Sequence, residues 1–295
     1  MIHRCGFVAV VGRPNVGKST LVNRLVGQRV SITARRPQTT RHRILGIRTT
    51  TESQTIYIDT PGLHREGKQA MSRYLNRTAA SVLGEGVDVV VFVVSGTQWT
   101  EEDEGVLQRL TSVKIPVVLV INKIDLVKDK KTLLPHLEHL ATRREFAHIV
   151  LLSALSGKKV DTLDRVIVPL LPEGVAQYPE DQVTDRNVRF LAAEWVREKL
   201  IRHLGAELPY AISCEVEQFV EGKGLTRIGI VIWVERPGQK TIVIGKNGAM
   251  LKCIGQEARE DLERTLGCKV FLETWVRVRE GWSNNDQLLK QFGYE

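Results

Sequence analysis

The sequence predicts two domains in one 295-residue chain. The first is an α/β domain on a mostly parallel six-stranded sheet with helices on both faces; a smaller α+β domain follows. Three observations predict this. From residue 7 to 171, continuous apolar runs of strand length alternate with helical patterns. From 173 to 185 the sequence EGVAQYPEDQVTD carries Gly, Pro and acids without an apolar period, which reads as a linker. Beyond it the patterns run α-β-β-α-α-β, enough for a domain of its own. The expected divisions are 1–172, a linker at 173–185, 186–280, and a tail at 281–295.

Each element follows from its local pattern. Residues 7–11 (FVAVV) read as a buried strand, then comes a Gly-rich turn and a helix over 18–26, stopped by Gly27. Segments 43–50 and 54–59 read as an adjacent pair of strands, and 87–95, 116–122 and 148–152 as three more. Helical patterns at 69–81, 100–113, 133–144 and 160–171 separate them. In the second part a helix is expected at 188–203, strands at 211–220 and 225–235, a Gly-containing helical stretch to 265, and a last strand at 269–278. The tail, 283–294, reads as a short helix.

Apolar residues make up 42% and charged residues 26%, ordinary for a globular protein. No apolar run approaches the roughly 18 residues of a membrane span, and residues 1–5 show no signal peptide. Cys5, Cys214, Cys253 and Cys268 form no CxxC pair, and the seven histidines show no ligand spacing. These features argue against a membrane protein, a secreted disulfide scaffold and a zinc module, and for reduced thiols in the cytosol. Net charge is +8, unevenly spread. Residues 1–172 hold 25 Lys/Arg against 15 Asp/Glu, and residues 173–295 hold 17 against 19. Ten basic side chains precede the first acid, Glu52, and Arg236, Lys240, Lys246 and Lys252 share an acid-free window. Both are local basic surfaces rather than tails.

Gly12-Arg13-Pro14-Asn15-Val16-Gly17-Lys18-Ser19 fits G-x-x-x-x-G-K-[ST] between a predicted strand and a predicted helix. Such glycines let backbone N–H groups turn inward on phosphate oxygens, and the helix N-terminus adds its dipole. Gly12, Asn15, Val16, Gly17, Lys18, Ser19 and Thr20 are the expected phosphate contacts. Lys18 would neutralise the β/γ oxygens, and the Ser19 hydroxyl would ligate Mg²⁺. Three further motifs fall at successive strand ends. In Asp59-Thr60-Pro61-Gly62, Asp59 can reach the Mg²⁺ shell, through water, and the Gly62 N–H can face a γ-phosphate. In Asn122-Lys123-Ile124-Asp125, the Asp125 carboxylate, expected buried, can accept from guanine N1–H and N2–H₂, donors adenine lacks. Leaving it unpaired costs on the order of 1–3 kcal/mol, which selects GTP over ATP. Ser153-Ala154-Leu155 offers a backbone N–H to guanine O6.

These motifs make residues 5–172 resemble the GTPase domain of the TRAFAC class, in the bacterial group with a GRPNVGKS P-loop and a TTR switch. Thr39-Thr40-Arg41 stands at that switch. The resemblance implies that Thr40 ligates Mg²⁺, with Thr39 as the alternative, and that Lys18, Thr40, Asp59 and Gly62 carry the catalytic roles. Leu63 stands where Ras-like GTPases place a water-orienting glutamine, so unassisted hydrolysis should be slow. In similar proteins Asn15 and the switch backbone hold K⁺ near the phosphates, which implies K⁺ stimulation. Arg35, Arg36, Arg41 and Arg43 are expected to be solvated or RNA-facing.

In the second domain Gly245-Lys246-Asn247-Gly248 lies between an apolar Ile-Gly entry and an amphipathic helical pattern. A tight glycine loop at a helix N-terminus lets backbone approach phosphates, and Lys246 and Lys252 add charge. With the α-β-β-α-α-β order this reads as a type II KH domain, with Ile244, Gly245, Lys246, Asn247, Gly248, Leu251 and Lys252 as RNA contacts. Ile242, Ile244, Leu251 and Ile254 are expected to line a groove for about four unstacked bases. Trp195, Trp233 and Trp275 are expected in the core, and Trp99 and Trp282 in open loops.

A GTPase of this group followed by a type II KH domain resembles the Era family of bacterial ribosome-assembly GTPases over nearly the whole chain. The match includes Gln38-Thr39-Thr40-Arg41-His42-Arg43 and the segment LGAELPY at 204–210. The resemblance implies a cytoplasmic monomer that binds near the 3′ end of 16S rRNA, assembles the small ribosomal subunit and touches the inner membrane peripherally. Two other readings compete: an RNA chaperone with a structural GTPase domain, and a membrane-surface signalling GTPase using residues 1–51.

Overall fold

The computed structural model describes residues 3–63, 69–84, 86–96, 98–127, 133–205 and 208–294. The chain divides into two compact units. One comprises Met1–Thr33, Thr40–Gly67 and Leu75–Asp185; the other comprises Ala34–Thr39, Lys68–Tyr74 and Arg186–Glu295. Two short stretches of the N-terminal half are therefore grouped with the C-terminal unit. Residues 64–68, just beyond Asp59-Thr60-Pro61-Gly62, lie outside the described residues, as do 206–207 of the 204–210 segment.

In the first unit the elements are β1 (Arg4–Val11), α1 (Lys18–Val26), β2 (Ile44–Thr49), β3 (Ser53–Asp59), α2 (Ala70–Ser81), β4 (Val89–Ser95), α3 (Glu101–Leu110), β5 (Val117–Asn122), α4 (Leu133–Ala141), β6 (His148–Leu151) and α5 (Val160–Ile167). The first turn of α2 lies in the segment grouped with the second unit. The sheet order is β2-β3-β1-β4-β5-β6, parallel except for the antiparallel β2–β3 pair. Apolar residues alternate across the sheet because successive side chains point to opposite faces. Val8 and Val10 join Leu21, Val22, Leu163 and Ile167 in one core. Ala9 and Val11 join Val106, Leu107, Leu110 and Leu140 in the other. Each fully buried Val or Leu contributes roughly 1.5–3 kcal/mol. Parallel pairing gathers the C-terminal ends of β1, β3, β4, β5 and β6 on one edge, where ligands of open α/β sheets bind.

Residues 173–185, expected as a linker, are built onto this unit. Glu173 pairs with Arg4 and Thr184 with Gly46 as antiparallel bridges. The Ile47 N–H donates to Val183 O (2.8 Å) and the Leu45 N–H to Asp185 Oδ1 (2.9 Å). Gln54 Oε1 accepts from the Gln177 and Tyr178 N–H groups. The reason is that β2 is an edge strand with an open row of backbone groups, which a chain lacking apolar period can satisfy through its own backbone.

The second unit contains α6 (Val188–His203), β7 (Ser213–Glu221), β8 (Leu225–Val234), α7 (Pro237–Ile244), α8 (Ala249–Leu266), β9 (Lys269–Val278) and α9 (Asp286–Gln291). Its sheet order is β7-β8-β9, with β7–β8 antiparallel and β8–β9 parallel. Asn187 caps α6 by accepting from the Phe190 N–H (2.9 Å). Trp195, Val196 and Leu200 of α6 and Ile254, Ala258 and Leu262 of α8 are buried, as are Ile228, Ile230 and Ile232 of β8. Burial on α6 extends to its charged positions, and these are paired: Arg197 with Glu194, Lys199 with Asp261.

The tail is ordered by aromatic packing. Trp282 is fully buried, edge-on to Phe292 and stacked with Tyr294. Asn284 Oδ1 accepts from the Ala70 N–H (3.0 Å), Asp286 pairs with Arg73 (3.4 Å), and the Tyr294 ring meets Tyr74 edge-on. Residues 70–74 thus find their partners some 210 positions later in the sequence.

Candidate functional site: a phosphate cradle and a GxxG loop

The loop after β1 turns on Gly12 (φ 153°) and Gly17 (φ 100°), conformations that L side chains rarely adopt. A Cβ on Gly17 would lie 2.3 Å from Asn122 Nδ2, and one on Gly12 2.3 Å from Val93 O. Val16 is buried, Thr20 half-buried and Asn15 exposed, with φ 61°. Lys18 opens α1 and is buried, its Nζ donating to Gly12 O and Arg13 O at 3.0 Å. Burial lowers its pKa to about 8 against the opposing pull of Asp59. Arg13 Nε donates to both carboxylate oxygens of Asp103 (3.1 and 3.0 Å), the residue that also closes the capping box of α3 with Thr100. That anchor joins positions 90 apart, so no local pattern announced it.

Asp59, at the end of β3, is fully buried, and neither carboxylate oxygen has a hydrogen-bond partner. Burial pushes its pKa up, while Ser19, Lys18, Ser31 and Thr40 nearby favour the charged form. The Ser19 and Thr40 hydroxyls stand 2.7 Å apart. An orphaned buried carboxylate beside two hydroxyls is an all-oxygen donor set that suits Mg²⁺, which binds through few protein ligands and retains waters. Of the two switch threonines, Thr40 is the one brought here; the Thr39 hydroxyl donates to Arg36 O (2.7 Å). A Cβ on Gly62 would lie 2.8 Å from Pro14, so the two loops approach as only glycine permits. Leu63 is buried and its N–H donates to Gly12 O (3.3 Å). Arg41, expected to be solvated or RNA-facing, is 1% exposed; Arg35 and Arg43 are exposed.

The β5 and β6 ends form the remaining wall. Asn122 Nδ2 donates to Val16 O (2.8 Å), and its Oδ1 accepts from the Ala154 N–H (2.9 Å), tying three loops together. Lys123 Nζ donates to Asn15 O (2.5 Å). The Ser153 N–H donates to Lys158 O, which leaves the Leu155 N–H as the donor of this triplet that neither bond uses. Asp125, expected buried, is exposed, because it lies on a single 3₁₀ turn beyond the strand.

In the second unit α7 ends at Gly245 (φ 72°) and α8 begins after Gly248 (φ 77°), with Asn247 between them at φ 52°. A Cβ on Gly245 would lie 2.6 Å from Met250 Cβ. Lys246, Asn247 and Lys252 are exposed, and Ile244 and Leu251 half-buried. Ile254, expected in the groove, is fully buried instead, one helical turn beyond the half-buried Leu251. Ile242 is exposed. Trp275, expected in the core, is 39% exposed and lies over Gly229 of β8. Trp233 is half-buried beside Phe292. Trp282 and Trp99, expected in open loops, are both packed: Trp282 within the tail cluster, Trp99 edge-on to Phe92 with its Nε1 donating to Glu104. Folding also brings together His203, Cys253 and Glu257, which linear spacing hid. There His203 bonds Glu257 (2.7 Å) beside Lys199, an ion-pair cluster.

Comparison with known proteins matches this layout. Residues 7–123 fit the family model described as 50S ribosome-binding GTPase, and residues 207–283 fit the KH domain model. GTPase Era of Xanthomonas oryzae pv. oryzae is 57% identical over 293 residues, covering 99% of this chain and 98% of its own length. GTPase Era of Ectopseudomonas mendocina is 53% identical over the same span. Among solved structures, a point variant of Aquifex aeolicus Era bound to GDP·AlF4⁻ is 39% identical with a TM-score of 0.95, covering 99% of both chains. An Era structure with MgGDPNP and nucleotides 1506–1542 of 16S ribosomal RNA has the same identity, TM-score and coverage. A P-loop with its oxygen donors and base loops, a GxxG domain later in the sequence, and relatives aligned from end to end lead to one conclusion: the chain belongs to the Era family of GTPases.

Proposed function

We propose that this GTPase is a GTP-switched reader of single-stranded RNA in the 3′ region of 16S rRNA, acting in small-subunit assembly. The carrying observation is its correspondence over 99% of both chains with the Era structure that holds MgGDPNP and rRNA nucleotides 1506–1542. Lys18 and the inward N–H groups from Gly12 to Thr20 would bind the phosphates. Ser19, Thr40 and, through water, Asp59 would hold Mg²⁺, which neutralises phosphate charge when bound. Gly62 offers its N–H to the γ-phosphate. Asn122 and Lys123 fix the loop on which Asp125 reads guanine N1–H and N2–H₂, with the Leu155 N–H offered to O6. Leu63 has no group to orient water, so turnover is slow without added charge, and K⁺ at Asn15 supplies it. Equal turnover in K⁺ and Na⁺ at matched ionic strength would remove the K⁺ part.

On the second unit, Ile244, Gly245, Lys246, Asn247, Gly248, Leu251 and Lys252 would hold about four unstacked nucleotides. The same reading makes the protein a cytoplasmic monomer that works on the small ribosomal subunit. Contact with the inner membrane would then be peripheral and charge-driven; no described helix is long and apolar enough to cross one. The test is filter binding of a short single-stranded RNA from the 16S 3′ end, with a non-hydrolysable GTP analogue, GDP or no nucleotide. Tight binding with the analogue alone, lost in Gly245→Asp/Gly248→Asp, is the expected result. Equal affinity in all three states refutes the switch.

A further inference from the structure

The last turn of α6 and one face of α8 bring together three side chains that neither the nucleotide site nor the GxxG loop uses. Both helices belong to the same compact unit. Cys253 and Glu257 stand four positions apart on α8, so one lies a turn above the other on a single face. His203 is the last residue of α6. One turn back on α6, Lys199 pairs with Asp261, one turn further along α8, at 2.7 Å. The two helices therefore run antiparallel in register, and His203 falls opposite Glu257. His203 Nε2 lies 2.7 Å from Glu257 Oε1, and Cys253 Sγ lies 3.8 Å from the same oxygen. All three donor atoms are within 4.8 Å of one another. His203 and Cys253 are exposed and Glu257 is half-buried, so solvent reaches the group.

We propose that His203, Cys253 and Glu257 form a Zn²⁺ site, with water in the fourth position. The donor set is the first reason: imidazole, thiolate and carboxylate are the protein ligands of zinc, and a thiolate selects against Mg²⁺ and Ca²⁺. Geometry is the second. Zinc bonds of about 2.0–2.3 Å at tetrahedral angles set the donors roughly 3.3–3.7 Å apart. Cys253 Sγ already stands close to that distance from Glu257, and the His203–Glu257 pair needs to open by less than about 1 Å. Side-chain torsions on fixed helices supply both adjustments. Charge balances as well, because a thiolate and a carboxylate neutralise the ion. Lys199 is held by Asp261 and reaches Glu257 Oε2 only at 4.0 Å. The C-terminal carbonyls of α6 also favour a cation at that end. On binding, Cys253 gives up its thiol proton to water and the His203–Glu257 hydrogen bond is exchanged for two metal bonds. The ion then staples the end of α6 to α8. Linear spacing argued against a zinc module because His203 and Glu257 are 54 positions apart. This site does not depend on the function proposed above.

The test titrates reduced, tag-free, full-length protein with Co²⁺ as a spectroscopic stand-in, and with Zn²⁺ against a chromophoric chelator. Nucleotide is left out and Mg²⁺ is in excess, so that the oxygen donors of the phosphate cradle do not draw the probe. Cys253→Ser, His203→Gln and Glu257→Gln are compared with the wild type. One Co²⁺ per chain should give a thiolate charge-transfer band in the near ultraviolet and the intense visible bands of a four-coordinate ion. Both should vanish in Cys253→Ser, although Cys5, Cys214 and Cys268 remain. Zn²⁺ affinity should fall at least about tenfold in His203→Gln and in Glu257→Gln, since even the outer partners of a metal ligand are worth about 10–100-fold. Zn²⁺ should raise the melting temperature of the wild type and leave that of Cys253→Ser unmoved. A wild type without the thiolate band overturns the proposal, and that result needs no variant. So does a band that survives Cys253→Ser, which places the metal on another thiol. Affinity unchanged in both His203→Gln and Glu257→Gln also overturns it, because the site is then a lone thiol.

Discussion

At the scale of single residues, the two ionisable groups at the centre of the cradle oppose one another. Lys18 is held at about 8 by burial, below the ordinary lysine value near 10.4. Folding therefore favours its neutral form, so this contribution to stability is smallest below pH 8 and grows as pH rises toward the unfolded value. Bound phosphates demand the charged form. Nucleotide binding above pH 8 should thus take up one proton, and affinity should fall up to about tenfold per pH unit up to roughly pH 10. Calorimetry in two buffers of different ionisation enthalpy reads the proton directly, and Lys18→Gln should abolish it. Asp59 has the opposite sign: burial raises its pKa, so its contribution to stability is present at low pH and is lost as pH rises through the raised value. Without Mg²⁺ at pH 7, Asp59→Asn should melt above the wild type, and Mg²⁺ with GDP should raise the variant's melting temperature less. The placement of these two groups was legible because the P-loop and Asp59-Thr60-Pro61-Gly62 are contiguous motifs. The anchor beneath them, Asp103 for Arg13, lies 90 positions away, and residue type alone does not report such pairing.

Among the elements, strands and helices followed their periods closely because each segment's pattern agrees with the layer it occupies. Disagreements came where partners are remote. Residues 173–185 have no apolar period, yet β2 offers them an open edge to pair with. Trp282 follows Gly281 and reads as loop, yet it is sealed by Phe292 and Tyr294. Ile254 looks like part of the groove because it follows Leu251 by three positions, but it is fully buried in the core. The GxxG loop allows a graded test. Gly248 needs only a left-handed conformation, so Gly248→Ala should cost about 1–2 kcal/mol. Gly245, at φ 72° and ψ 177°, sits in a region that is essentially glycine's alone, and a Cβ there meets Met250 at 2.6 Å; Gly245→Ala should cost a further 1–3 kcal/mol or so for overpacking. Urea unfolding of the two variants checks the order.

For the whole molecule, residues 34–39 and 68–74 are grouped with residues 186–295 although both stretches lie in the N-terminal half of the sequence. Trp282→Ala should destabilise by about 3–5 kcal/mol, the usual cost of removing a buried Trp. It should also open the α2 start, seen as faster tryptic cleavage after Arg73. The same cap acts on the timing of manufacture. Ala70 waits for Asn284, 214 positions later, and at 5–20 residues per second that delay is roughly 10–40 s. A nascent chain can complete its P-loop long before the first turn of α2 acquires its partners. A chain cut off before Asn284 would carry every nucleotide motif and still lack the partner of the Ala70 N–H at the first turn of α2.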